Sequence, residues 1–221
     1  MWPGVAVAAR GPGTRWTGPG PPGILPGMDD PKGDLLTYLQ RGRDAVVWKL
    51  EGASELDVRR PLTPTGTNLL GLVKHLARVD AGYLGEVFGR PFPEPIPWDD
   101  AEPDSDMWAT ADESREELIA LYRRVWAHGD ATVAAVDLDA TGSVPWWPAE
   151  RRHPTLHRVL VHLTAETHRH AGHADIVREL VDGAAGVLPT VSNLGTEDPA
   201  DRAAHRARGQ AAAEAAARRS G

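Results

Sequence analysis

The sequence predicts an all-α protein, a four-helix bundle, on three observations. Four segments carry apolar residues at the 3.6-residue period of a helix, and none alternates as a half-buried strand does. No unit recurs along the 221 residues, which excludes a solenoid. The composition, 41% hydrophobic without a cysteine, describes a core held by packing rather than by disulfides or thiolate–zinc clips. A body of roughly 150 residues can bury about 68–70% of its unfolded surface, which is enough for an ordinary core.

In chain order, residues 1–27 (MWPGVAVAARGPGTRWTGPGPPGILPG) are rich in Gly and Pro and lack acidic residues. We expect a disordered extension there. Its longest apolar run, Val5–Ala9, is too short for a signal-peptide core or a membrane span. Organised sequence begins at Met28, which we expect to be the true start. The bundle is expected over residues 28–186 and a flexible tail over 187–221.

The first helix is expected from Gly33 to Gly52, with Leu35, Leu36, Leu39, Val46, Val47 and Leu50 on its apolar face. The second opens near Thr67 and ends at Gly89; Leu69, Leu72, Val73, Leu76, Val79, Tyr83 and Val87 form its stripe, with His75 at the edge. A Pro-rich acidic connection, Pro91 to Pro103, is too long for a simple turn and is a candidate pocket wall. The third helix is expected from Thr110 to Val136, with Ser114 and Glu117 in capping-box spacing. Before the fourth helix come Trp146 and Trp147 between prolines, either a core plug or an aromatic lip over a pocket; the plug is the expectation. The fourth helix runs from Thr155 to Val181, between Pro154 and Gly183. The remainder is an Ala/Arg tail without an apolar stripe.

Charge excludes some partners. The chain carries 31 acidic residues against 24 Lys and Arg, a formal net charge of −7, and its body is more acidic still once the Arg-bearing termini are set aside. A phosphate-binding surface needs clustered Lys and Arg, so nucleic acid is not an expected partner.

The anomaly lies in the fourth helix. Glu166 and His170, at i and i+4, share the face of Leu156, Val159, Leu163, Ala174 and Val177, with His162 and His173 on its flank. An ionised carboxylate in a core stripe needs a cation, a shifted pKa or a metal. A histidine one turn away favours the metal. His75 is a third candidate donor from a facing helix, the way bundle cores build metal sites. Such a set leaves a coordination position open, as catalytic rather than structural zinc sites do.

Two stretches, TNLLGLVKHLARVDAGYL and LVHLTAETHRHAGHADIVREL, extend this reading. The body from Met28 to Gly186 resembles the DinB-like superfamily of metal-binding four-helix bundles, and most closely its actinobacterial branch that includes mycothiol-dependent maleylpyruvate isomerase. The resemblance implies that His75, Glu166 and His170 bind a divalent metal, zinc first, with Ni2+ or Fe2+ as alternatives. Many relatives carry Gln at the position of His173, in an HxGQ pattern. His173 is therefore a fourth ligand, a group that supports the ligands from behind or a substrate contact; as a catalytic residue it would handle a proton.

The implied function is a thiol S-transferase or isomerase that uses an exogenous low-molecular-weight thiol such as mycothiol on a small-molecule electrophile. It would work in the cytoplasm, without nucleic acid or membrane, and a homodimer is compatible with it. Two alternatives stay open. One is a metal-dependent hydrolase, although no HExxH supplies an adjacent base. The other is a non-enzymatic, metal-stabilised stress-linked binding bundle. The same donors also suit non-haem iron.

Overall fold

In a computed structural model, residues 30–98, 102–196 and 198–220 are described; the extension expected over residues 1–27 lies outside them. Four long helices make the body: α1 (Pro31–Trp48), α3 (Leu69–Leu84), α4 (Arg115–Ala135) and α5 (Leu156–Asp182). A five-residue helix, α2 (Glu55–Arg59), sits between the first two, and α6 (Pro199–Ser220) follows the body. Among the described residues there is no strand, only the isolated bridges Thr141–Thr155 and Leu188–Val191. The all-α bundle predicted from periodicity is the fold observed. No helix among the described residues is long and apolar enough to cross a membrane.

Local sequence explains the helix ends. Pro31 opens α1, where a missing N–H costs no hydrogen bond. Thr155 caps α5 by accepting from the Arg158 amide, and Gly183 closes it at φ 81°, a left-handed conformation suited to glycine. Ser114 accepts from the Glu117 amide at 3.2 Å and caps α4. The second predicted helix is shorter than its apolar stripe: α3 stops at Leu84, and Glu86–Phe88 form a tighter 3-10 turn after Gly85.

Packing pairs α1 with α5 and α3 with α4, and brings α3 against α5. Gly42 lets α1 lie close to α5: a Cβ there would stand 2.9 Å from the Thr167 methyl. The apolar interior forms two clusters. One gathers Leu39, Leu84, Val133 and Val144 around Leu156, Val159, Leu160 and Leu163 of α5. The other gathers Val46, Leu72, Leu76, Tyr122 and Val125 around Ala171, Ala174 and Val177. Along α5, the stretch between Leu163 and Ala171 falls between the two clusters. Glu166 and His170 are in that stretch.

Candidate metal centre

Three side chains from two helices converge where the clusters part. Each of His75, Glu166 and His170 offers one donor atom, and these atoms lie within 4.8 Å of one another. His170 Nε2 is 2.9 Å from Glu166 Oε1, and His75 Nε2 is 3.9 Å from the same oxygen. The imidazole rings of His75 and His170 meet edge to face with centroids 4.8 Å apart. The i,i+4 spacing on α5 brings the carboxylate and one imidazole together. Packing of α3 on α5 brings the second imidazole.

A loop fixes His75. Its Nδ1 lies 2.8 Å from Asp106 Oδ2, in the short 3-10 turn Ser105–Met107. This contact turns the ring so that Nε2 lies on the Glu166 side. That turn is seated by the N-terminus of α3 itself. Asn68 accepts the Gly71 amide at 2.7 Å and donates through Nδ2 to the Met107 carbonyl at 2.9 Å. Gly71 permits the approach, since a Cβ there would collide with that carbonyl. The residues that start the helix therefore also place the carboxylate that orients its histidine.

The protonation states suit a cation. Burial pulls the Glu166 carboxyl upward, but the hydrogen bond and charge of His170, with Arg169 and His75 adding, hold it below the ordinary carboxylate value. Burial is the main cause that lowers His170, and His75 reinforces it against the pull of Glu166. An ionised carboxylate and a neutral imidazole are the forms that bind metal. Two imidazole nitrogens, one carboxylate oxygen and a carboxylate behind one histidine fit a divalent ion.

His173 stands behind this group. Its Nδ1 is 3.3 Å from His170 Nδ1, on the ring edge away from the Nε2 that faces Glu166. It is half-buried and meets the His170 ring at a centroid distance of 5.2 Å.

A cavity of roughly 470 Å³ opens beside the donors, lined among others by His75, Glu166, Arg78, Tyr83, His162 and Trp146. Ile96, from the long connection, forms part of its wall. The core-plug expectation for the tryptophan pair describes Trp147, which packs half-buried against the Leu39–Leu163 cluster, but not Trp146. Trp146 is 54% exposed and lines the cavity, and both indoles donate to the Tyr83 hydroxyl. The Trp146 N–H, drawn to the phenol at the rim, keeps that indole out of the core. Asp106 was not singled out from sequence, because a carboxylate in a loop has no periodicity to mark it. Tyr83 was read only as part of an apolar stripe.

No curated protein matches the chain. The profile of the mycothiol-S-transferase family matches residues 34–183, which include all three donors, Asp106 and the cavity. On that match, over most of its bundle, the chain belongs to the mycothiol-S-transferase family, a DinB-like family.

Proposed function

We propose that this protein is a metal-dependent thiol S-transferase or isomerase that joins a low-molecular-weight thiol, mycothiol or a close analogue, to a small electrophile. The observation that carries the reading is the cavity opening directly on His75 and Glu166. A site that only stitched helices together would need no such space on its donor side. His75, Glu166 and His170 would hold a divalent ion, zinc first, whose Lewis acidity lowers the pKa of a bound thiol.

The chain's own groups supply the rest. Asp106 holds the His75 ring so that it presents Nε2. His170 offers Nε2 on the Glu166 side, while His173 contacts its Nδ1 and is the group we assign to relaying a proton to solvent. Tyr83, His162 and Trp146 make an aromatic wall on which an electrophile can be positioned and water displaced. The protein has no cysteine, so the sulfur nucleophile comes from outside. The reading requires a compartment that keeps thiols reduced, for which we propose the cytoplasm.

The test is a pH–rate profile for conjugation with the zinc-loaded protein. A free thiol titrates near pH ~8.5, and the rate should reach its plateau well below that. Chelation should remove the advantage near neutral pH. If no thiol, mycothiol included, reacts faster with metal-loaded protein than without it, the transferase reading fails.

A further inference from the structure

A second recess, of roughly 470 Å³, lies where the segment before α5 meets α5 itself. One wall is Trp147, Pro148 and Arg151, the last in the 3-10 turn Ala149–Arg151. The other is a stripe of α5 that carries Arg158, Val161, His162 and Ala165, at positions i, i+3, i+4 and i+7. Charge sets this recess apart. The chain has a net charge of −7, and Glu86 and Glu166 line the donor-side cavity, yet no acidic side chain lines the recess. Two guanidiniums do. Among the described residues the Arg158 guanidinium has no ion-pair partner, and Arg151 reaches only the exposed Glu150, at 3.8 Å. The aromatic wall is already ordered. Trp147 Nε1 donates to the Tyr83 hydroxyl at 2.8 Å, and its ring meets His162 edge to face with centroids 5.3 Å apart. A fixed wall loses no side-chain freedom when a ligand packs on it.

We infer that this recess binds a small aromatic carboxylate, with its ring against Trp147, Pro148, Val161 and Ala165 and its carboxylate between Arg151 and Arg158. Guanidinium N–H groups meet a carboxylate in pairs, with geometry an ammonium lacks. A bare inorganic anion would leave the apolar walls uncovered, and a neutral aromatic would leave two like charges unmatched. A polyanion needs a longer row of cations than an acidic chain presents here. The site is separate from the metal donors. Of the residues that line it, only His162 also lines the cavity beside His75 and Glu166. The inference is independent of the transferase reading.

The test is equilibrium dialysis of the full chain with EDTA present, so that no metal ion can hold the carboxylate. The probes are 2-naphthoate, its neutral isostere 2-naphthamide, and inorganic phosphate. The wild-type protein should bind naphthoate about tenfold more tightly than naphthamide, as a charge-assisted hydrogen bond implies. Phosphate should bind more weakly than naphthoate. The joint substitution Arg151→Gln and Arg158→Gln should erase the preference for naphthoate. Both side chains lie on the surface, and removing a cation near the start of α5 does not oppose the helix dipole. Arg218→Gln with Arg219→Gln on α6 removes the same charge elsewhere and should leave the preference within about twofold. Ala165→Trp fills the recess from the exposed side of α5 and should abolish binding of both aromatic probes. A wild type that shows no preference, or a preference that survives the joint substitution, overturns the inference. So does an equal loss in the α6 control, phosphate bound as tightly as naphthoate, or naphthoate binding that persists in Ala165→Trp.

Discussion

Arg43, Asp80 and Asp130 form one polar cluster in the bundle and His75, Glu166 and His170 form another; the first is centred on a buried guanidinium, whereas exposed Arg169 reaches only the edge of the second, 3.9 Å from Glu166 Oε2. Arg43 Nε lies 2.9 Å from Asp80 Oδ2, with both side chains wholly buried, and Arg43 Nη1 lies 2.9 Å from Asp130 Oδ1. Burial opposes the Arg43 charge, but Asp80 and Asp130 outweigh it and keep the guanidinium protonated. The cluster ties α1, α3 and α4 together with one guanidinium between two carboxylates, and burial pushes the Asp80 carboxyl above its ordinary value against the pull of Arg43. In the second cluster an ionised carboxylate faces a neutral imidazole, and the donor atoms of three side chains crowd one point. One cluster ties three helices by ion pairs, and the other gathers three donor atoms of metal-ligand type within 4.8 Å of one another.

That contrast predicts opposite phenotypes. Arg43→Met should leave Asp80 buried without its cation and cost about 3–5 kcal/mol. In a domain of this size the melting temperature should fall by roughly 10 °C or more, while metal bound per folded chain stays unchanged. Glu166→Ala should do the reverse, with metal content falling sharply and the metal-free melting temperature little moved. Elemental analysis beside thermal melts reads both. Full metal stoichiometry in Glu166→Ala would remove Glu166 from the ligand set, and a stable Arg43→Met protein would show that Asp80 is not held by that pair.

A smaller effect sharpens the second cluster. Asp106 touches no other donor of the group but holds His75 at Nδ1. Partners of this kind contribute about 10–100-fold to metal affinity. Asp106→Ala should weaken binding by that amount in a chelator competition, with the fold intact. Asp106→Asn keeps an oxygen that can accept and should lose less. If Asp106→Ala binds as tightly as wild type, the carboxylate serves only to seat the loop.

The two clusters were unequally legible in the sequence. Glu166 and His170 stood out because one helix carries both, and an acid in an apolar stripe is conspicuous. Their convergence with His75 depends on how α3 faces α5, which one helix's periodicity does not encode. Arg43 and Asp80 carry the same signal, a charge inside an apolar stripe, but on different helices without a partner one turn away. The helix α2 escaped notice because five residues, Glu55–Arg59, are too few to display a period. Its mark was the cap: Ser54 accepts the Asp57 amide at 3.1 Å. Of the tryptophan pair only Trp146 departs from the plug reading, because two proline-flanked indoles look alike in sequence although one packs on the core and the other lines the cavity.

The smallest effect is expected at the end of the chain. Among the residues of α6 whose burial is described none is buried, and an Ala/Arg helix without an apolar stripe has little to dock with. Its tie to the body is Arg202 Nη2 on the Gly183 carbonyl at 2.9 Å, a bond near the surface. The segment just before it is held more firmly. Lys49, fully buried, reaches both Asp175 and the Gly186 carbonyl, and Trp48 Nε1 donates to the Val187 carbonyl at 2.9 Å. The boundary that matters for stability therefore lies between these anchors and α6. Truncation after Thr196 keeps every anchor and should cost under about 1 kcal/mol, a shift of a few degrees in melting temperature. Truncation after Asp182 removes the Gly183 cap and the carbonyls that Lys49 and Trp48 hold, and should cost more. Thermal melts of the two truncations beside the full chain decide the matter. A loss on cutting after Thr196 as large as that of Arg43→Met would mean that α6 is part of the folded body.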